Sequence, residues 1–248
     1  MIDYNIFLFC SLADRPLFVR KGARPYGFAF KKMVKQPDQC QIEDEELNNF
    51  KFDRLVKNEF PKALRRTFKR MWDNNYGPVQ PWDDSAAVRK MFLAKEGVNP
   101  KVPTNKSFEE WDCTALFQAT IRAKSFAISK KTLHDLYVKP RGLPSGSFHS
   151  SVESPCGNKN ETFALAIDQL RLLRNSHVHS NRSAMDRRTF EQYVQLAKDA
   201  FRALGEQTDM IHAVGNSPES HFPTKEVAKL QRKVRYMAVG LGGLVLFD

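Results

Sequence analysis

The sequence predicts a mostly helical protein, an antiparallel helical bundle with an irregular basic arm at its N-terminus. Apolar residues recur every three or four positions in most segments after residue 44, which is the spacing of a buried helix face. Clusters of Gly, Pro, Ser and Asn separate these segments and mark the connections between helices. No run of alternating apolar and polar residues indicates a β-strand.

Composition divides the chain into three regions. Residues 1–46 form the arm, in which positions 15–35 hold seven Lys or Arg and no acid before an acidic cluster begins. Residues 47–205 form the helical domain, and residues 206–248 hold a last helix and a Gly-rich apolar tail. We expect the basic stretch either to be solvated or to contact phosphate groups.

The first helices of the domain have recognisable ends. Pro61 fits the first turn of a helix that stops in the turn 74–78, and the buried face of this helix carries Leu64, Phe68 and Trp72. Asp83 or Asp84 is expected to cap the next helix, which runs to Glu96.

A further helix is predicted to start within residues 111–114, and the Gly- and Pro-rich segment 139–160 is expected to be a long, mobile loop. Two strong amphipathic helices complete the domain. One spans about 160–179, and the other starts after 183–186, where a Ser-x-x-Asp pattern approximates a capping box. Gly205 is a suitable stop for the last of these helices.

The chain has a net charge of +11, which favours a polyanionic partner without specifying one. Its four cysteines include no C-x-x-C pair, so we expect neither a zinc site nor a disulfide scaffold. The apolar runs 6–13 and 236–247 are shorter than the roughly 20 residues that span a bilayer. We therefore predict an intracellular, cytoplasmic protein with no cofactor, no metal and no integral membrane association.

The candidate catalytic residues lie in the stretch 173–179, at the end of a strong helix. On a helical wheel His177 falls on the apolar stripe, whereas Asn175 and His179 lie together away from the core and Arg174 sits on the rim between. His177 is therefore predicted to be a core or helix-end histidine held by a backbone carbonyl. Asn175 and His179 are predicted to face outward.

An exposed His beside an Arg can act on a phosphodiester without a metal. An imidazole can take the proton of a ribose 2′-hydroxyl or return one to the leaving 5′-oxygen. A guanidinium can hold the charge that develops on the phosphorane oxygens. One Arg and one His are too few for both acid and base, but two copies about a two-fold axis would supply two of each. The pattern therefore predicts a composite site in a homodimer.

The pattern from Arg174-Asn175 to His179 resembles the motif of the HEPN superfamily, in which an Arg and a His are separated by four to six residues. Residues 111–117 look like the D-x-T-x-L-F segment of a HEPN subgroup found in an animal RING-type E3 ubiquitin ligase and in many uncharacterised invertebrate proteins. Phe190-Glu191 matches the later F-E segment of that subgroup, and the resemblance covers about residues 47–205. The subgroup often has five residues between its Arg and His. This chain has four and an additional His177, so either histidine could occupy the cleft.

The resemblance implies a helical, often dimeric domain with an RNA-related function, and many HEPN members are metal-independent endoribonucleases. By this resemblance Arg174 and His179 are the catalytic pair and Asn175 is their polar partner. The basic segments 51–70 and 171–188 either follow an RNA backbone or are solvated helix faces. The residues expected to bind nucleic acid are Arg65, Arg66, Lys69, Arg70, Arg171 and Arg182. The alternative is a non-catalytic protein-interaction module in ubiquitin or innate-immune signalling.

Overall fold

The computed structural model describes residues 43–77, 79–97, 101–180 and 184–222, together with 226, 229 and 230. Over these residues the protein is an all-α bundle without a named strand, which confirms the predicted mostly helical class. The seven α-helices in this part of the chain are α1 Asp44–Arg54, α2 Phe60–Tyr76, α3 Ala86–Glu96, α4 Cys113–Thr120, α5 Lys159–His179, α6 Arg187–Ala203 and α7 Asp209–Gly215. The basic stretch of the arm, Arg182 and most of the predicted C-terminal helix lie outside the described residues.

Helices α1 and α2 form one continuous helical rod, because a π-helical segment, Leu55–Glu59, joins them. Pro61 lies in the first turn of α2 as predicted, but the sequence predicted a new helix at this point, whereas the chain is helical without a break from Asp44 to Tyr76. A proline inside a helix lacks one N–H donor and its ring crowds the carbonyl four residues earlier, here that of Lys57. The π turn lies directly before the proline and includes Lys57, and the Phe60 N–H donates to the Leu55 carbonyl across it.

The core at the α2–α3 end is an aromatic cluster centred on Phe68. The predicted buried face of α2 is confirmed, since Leu64, Phe68 and Trp72 are at most 2% exposed. Six aromatic rings have centroids within 6.3 Å of the Phe68 ring, and they belong to Trp72, Trp82, Phe92, Phe108, Trp111 and Phe126. Large buried rings in edge-to-face contact contribute strongly to a core of this kind.

Helix α5 passes through the middle of the bundle. Every residue of Ala164–Leu170 is buried, because α4, α6 and a π-helical segment, His134–Val138, all pack against this helix. In the last two turns of α5, Leu173 and His177 remain buried, whereas Arg174, Asn175 and Ser176 are only half-buried and His179 is exposed. One side of the C-terminal part of α5 is therefore packed and the other is accessible.

The N-cap of α3 differs from the one we predicted. We predicted that Asp83 or Asp84 would cap α3, but Ser85 does so, accepting a bond from the Val88 N–H at 3.4 Å. The Asp83 carboxylate instead accepts the Ser85 N–H at 2.9 Å, and Asp84 accepts that of Phe108 at 2.9 Å. Both carboxylates therefore accept backbone N–H groups outside α3 and do not cap it.

Helix α6 begins after the predicted segment 183–186. Asp186 is its N-cap and accepts the Thr189 N–H at 2.9 Å. The helix ends before Gly205, whose φ of +71° is the left-handed conformation that a glycine stop supplies. Beyond the boundary predicted at 205, α7 adds the buried Ile211 and Val214 to the core.

Candidate nucleic-acid site on helix α5

Two adjoining cavities flank the C-terminal half of α5. The first, of about 530 Å³, lies between α5 and the loop 142–148, and we call it the loop cavity. The second, of about 220 Å³, lies between α4 and α5, and we call it the arginine cavity. Arg171 and Asn175 line both cavities. The two cavities are therefore neighbouring parts of one surface, which we call the α5 surface.

The predicted catalytic residues are distributed over these two cavities. His179 is exposed and lines the loop cavity, whereas Arg174 lines the arginine cavity. Asn175 stands between them, and its Oδ1 accepts a hydrogen bond from Arg174 Nη1 at 3.1 Å. The structure therefore brings Asn175 together with each of the other two, but Arg174 and His179 share neither cavity.

His177 is buried as the helical wheel predicts, with 8% exposure. We predicted a backbone carbonyl as its partner, and this was wrong: Nε2 lies 3.3 Å from the Asp53 carboxylate on α1. Its ring also packs edge-on against Phe52 at a centroid distance of 5.3 Å. The sequence could not predict this because Asp53 is 124 residues away along the chain. Between the two histidines, His179 is the one that an external ligand can reach.

The pairing of His177 has an electrostatic consequence for Asp53. Burial alone would raise the pKa of the Asp53 carboxyl, but hydrogen bonds from His177 and Lys57 outweigh burial and hold that pKa below its ordinary value. His177 therefore fastens the end of α5 to α1 through an ionised carboxylate.

A buried polar network beneath the loop cavity was missed by the sequence-based prediction. Asp168 is 1% exposed and lies between the side chains of His149 and Arg171. Its Oδ2 is 2.9 Å from His149 Nε2, and its Oδ1 accepts a hydrogen bond from Arg171 Nε at 2.7 Å. The neighbouring Gln169 accepts the His149 N–H at 2.9 Å. The network orients Arg171 and holds His149, which lies within the predicted loop 139–160, against α5. The one signal in the sequence was an Asp-Gln pair inside an otherwise apolar stretch of α5.

Arg122, just beyond α4, is a second functional candidate that sequence reasoning missed. Its guanidinium lies 5.5 Å from the centroid of the Phe117 ring, and that of Arg171 lies 5.1 Å from the same centroid. Arg122 lines the arginine cavity together with Arg171 and Arg174. No helical pattern in the sequence connects residue 122 with α5, and only the packing of α4 on α5 brings them together.

Three of the basic residues predicted on α2, Arg65, Arg66 and Arg70, have structural partners. Arg65 donates to the carbonyl groups of Phe108, Glu109 and Trp111, and so terminates a short 3₁₀ turn at 108–110. None of the basic residues on α2 lines the loop cavity or the arginine cavity.

Two further arginines of α2 bind the end of α6. Arg66 Nε donates to Glu206 Oε2 at 2.6 Å, and Arg70 donates to the Leu204 carbonyl. Lys69 is exposed. The α2 residues of the predicted nucleic-acid set therefore line neither cavity, although Arg65 borders a third cavity together with Arg174, while Arg171 lines both.

Comparison of the chain with protein-family models, curated proteins and solved structures finds no match in any of the three. Within the described ranges, no group of three or more His, Cys, Asp or Glu is arranged to hold a metal ion. No helix in the same ranges is long and apolar enough to cross a membrane. The functional interpretation therefore rests on the α5 surface and on the motif resemblance.

Proposed function

We propose that this chain is an RNA-binding helical domain that holds a single strand along the C-terminal half of α5. The observation that carries the proposal is that Arg171 and Asn175 line both cavities. They connect His179 at one side with Arg174 at the other, which gives a strand a continuous row of hydrogen-bond donors. Cationic and amide donors in a row suit a phosphodiester backbone.

The two cavities suit different parts of a nucleotide. The loop cavity is the larger, and it combines apolar side chains, such as Leu172 and Phe148, with hydroxyl and amide groups. Unstacked RNA bases are recognised by surfaces of this mixed kind. The arginine cavity is smaller and lined by three arginines, which suits a phosphate group. A role on RNA also fits the intracellular, cytoplasmic location predicted from the sequence.

We extend the proposal to metal-independent cleavage by a homodimer, as the HEPN resemblance implies. His179 is accessible for proton transfer to or from a ribose oxygen. Because Arg174 and His179 line different cavities in one chain, a second copy packed against α5 is needed to bring two arginines and two histidines into one composite site.

The test uses labelled single-stranded RNA incubated with the full chain in EDTA. Fluorescence anisotropy measures binding, and gel electrophoresis measures cleavage. Arg174→Ala should weaken binding, and both Arg174→Ala and His179→Ala should abolish cleavage. Arg202→Ala is the control, because Arg202 is exposed on α6 and lines neither cavity. Cleavage per chain should rise with protein concentration as the dimer forms.

Equal cleavage by wild type and both variants would rule out the enzymatic extension, and absence of RNA binding would rule out the proposal as a whole. The second candidate, a non-catalytic protein-interaction module, is favoured by Val178, which is 51% exposed on α5. Val178 borders a cavity of about 370 Å³ that Val56, Pro61 and Trp111 also line. Substitution Val178→Ser would impair this second function while leaving RNA binding intact, because it adds no charge beside Arg174, which lines the same cavity.

A further inference from the structure

The arginine cavity gathers positive charge without a matching negative group. Arg122, Arg171 and Arg174 line it, and the remaining lining side chains, all within the described part of the chain, are neutral and include no carboxylate. Three of these neutral side chains, Thr114, Gln118 and Asn175, can also form hydrogen bonds. The cavity therefore offers donors and positive charge together.

The hydrogen bonds of these arginines leave much of that charge uncompensated. Arg171 is paired with the buried Asp168 through its Nε. Arg122, by contrast, donates to Nε2 of His134 at 3.2 Å, and an imidazole nitrogen can accept only when it carries no proton. Arg174 donates to the neutral amide of Asn175. Two of the three guanidinium groups are thus bonded here to uncharged partners.

The electrostatics of His134 agree with this geometry. Burial and the charge of Arg122 lower the pKa of the His134 imidazole below its ordinary value. The guanidinium groups of Arg122 and Arg171 approach one ring, Phe117, to within 5.5 Å and 5.1 Å. Both positive charges border the same cavity, so an anion inside the cavity would be attracted to each of them.

We propose that Arg122, Arg171 and Arg174 form a binding site for one phosphate group. Guanidinium groups pair with phosphate oxygens through two parallel N–H bonds, which an ammonium cannot reproduce. The cavity of about 220 Å³ is several times the roughly 30 Å³ that one water molecule occupies, so a phosphate group fits with its remaining waters. This inference rests on the proposed function and deepens it by placing a backbone phosphate of the RNA strand at Arg122.

The test titrates the full chain with inorganic phosphate, a 5′-mononucleotide, the matching nucleoside and a short single-stranded RNA, using calorimetry and NMR signals of the arginine Nε–H groups. Arg122→Gln removes the charge, Arg122→Lys keeps the charge without the planar fork, and Arg202→Gln removes an equivalent charge from α6. Arg122 is exposed, and circular dichroism checks that each variant remains folded.

The phosphate-bearing ligands should bind and the nucleoside should not. Arg122→Gln should weaken RNA binding about tenfold and reduce its salt dependence by about one phosphate contact, with Arg122→Lys intermediate and Arg202→Gln unchanged. If Arg122→Gln binds RNA with wild-type affinity and salt dependence, the phosphate site is wrong and the proposed function stands. If phosphate and the mononucleotide bind through Arg122 but RNA does not, the phosphate site stands and the proposed function fails.

Discussion

The Asp168 carboxylate and the His149 imidazole lie 2.9 Å apart in the interior of the protein, and their side chains are only 1% and 3% exposed. The same carboxylate accepts a bond from Arg171, which lines both cavities of the α5 surface. A single buried group thus anchors the loop beside α5 and sets the direction of an arginine at the candidate site.

Removing the Asp168 carboxylate should lower the free energy of unfolding. Asp168→Ala leaves His149 and Arg171 without their acceptor, and breaking a buried pair of this kind costs about 3–5 kcal/mol of unfolding free energy. Urea denaturation followed by circular dichroism measures this loss. The matched control is Asp199→Ala, whose exposed pair with Arg202 is worth less than about 1 kcal/mol. Equal effects of the two substitutions would contradict a structural role for Asp168.

The same carboxylate should contribute to acid sensitivity. Burial raises the pKa of Asp168, but hydrogen bonds from His149 and Arg171 outweigh it, so the folded-state pKa lies below the ordinary value of 3.8. The stabilisation is therefore present above about pH 4 and is lost as the pH falls through the folded-state pKa. The stability difference between wild type and Asp168→Asn should be constant near neutral pH and shrink below about pH 4. A difference that grows on acidification would show that the pKa is raised instead.

The two histidines at the end of α5 should behave differently on substitution. His177 is buried against Phe52 and bonded to Asp53, so His177→Ala should lower the unfolding free energy by about 2 kcal/mol. His179 is exposed, and His179→Ala should change it by less than about 0.5 kcal/mol while impairing cleavage. Thermal and urea unfolding of both variants checks the first point. The reverse order of stabilities would mean that His177, not His179, is the accessible histidine.

Cysteine reactivity tests the packing of α4 at the arginine cavity. Burial raises the pKa of the Cys113 thiol to about 12, whereas Cys156 is exposed in the loop before α5. Because the thiolate is the reacting form, iodoacetamide at pH 8 should modify Cys156 and spare Cys113. Peptide mass spectrometry reads the two sites separately, and unfolding in urea should remove the difference. Rapid labelling of Cys113 in the folded protein would show that α4 is not packed as described.

Periodicity explains why so much of the fold could be predicted. The buried residues of α2 and the inward position of His177 follow from spacing within one helix, which the sequence displays directly. The short helix α7 was missed because its periodic pattern is too short to recognise, and the helical spacing at Leu55 and Val56 did not indicate that Leu55–Glu59 is π-helical.

The contacts of the candidate site could not be predicted in the same way. His149 meets Asp168, and Arg122 meets α5, only through tertiary packing between separate elements. Hydrogen-bond partners of the α2 arginines, such as the Glu206 carboxylate for Arg66, likewise come from distant parts of the chain. Sequence spacing predicted the helix that carries the candidate site, and packing determined which residues lie beside it.

The most direct test of the central claim is to map where RNA contacts the protein, by ultraviolet crosslinking of single-stranded RNA followed by peptide mass spectrometry. The structure predicts crosslinks in the loop 142–148 and in the residues of α4 and α5 that line the two cavities. Arg174→Ala should reduce these crosslinks, and Arg202→Ala should not. Crosslinks confined to the basic face of α2, or equal crosslinking of both variants, would contradict an RNA site on α5.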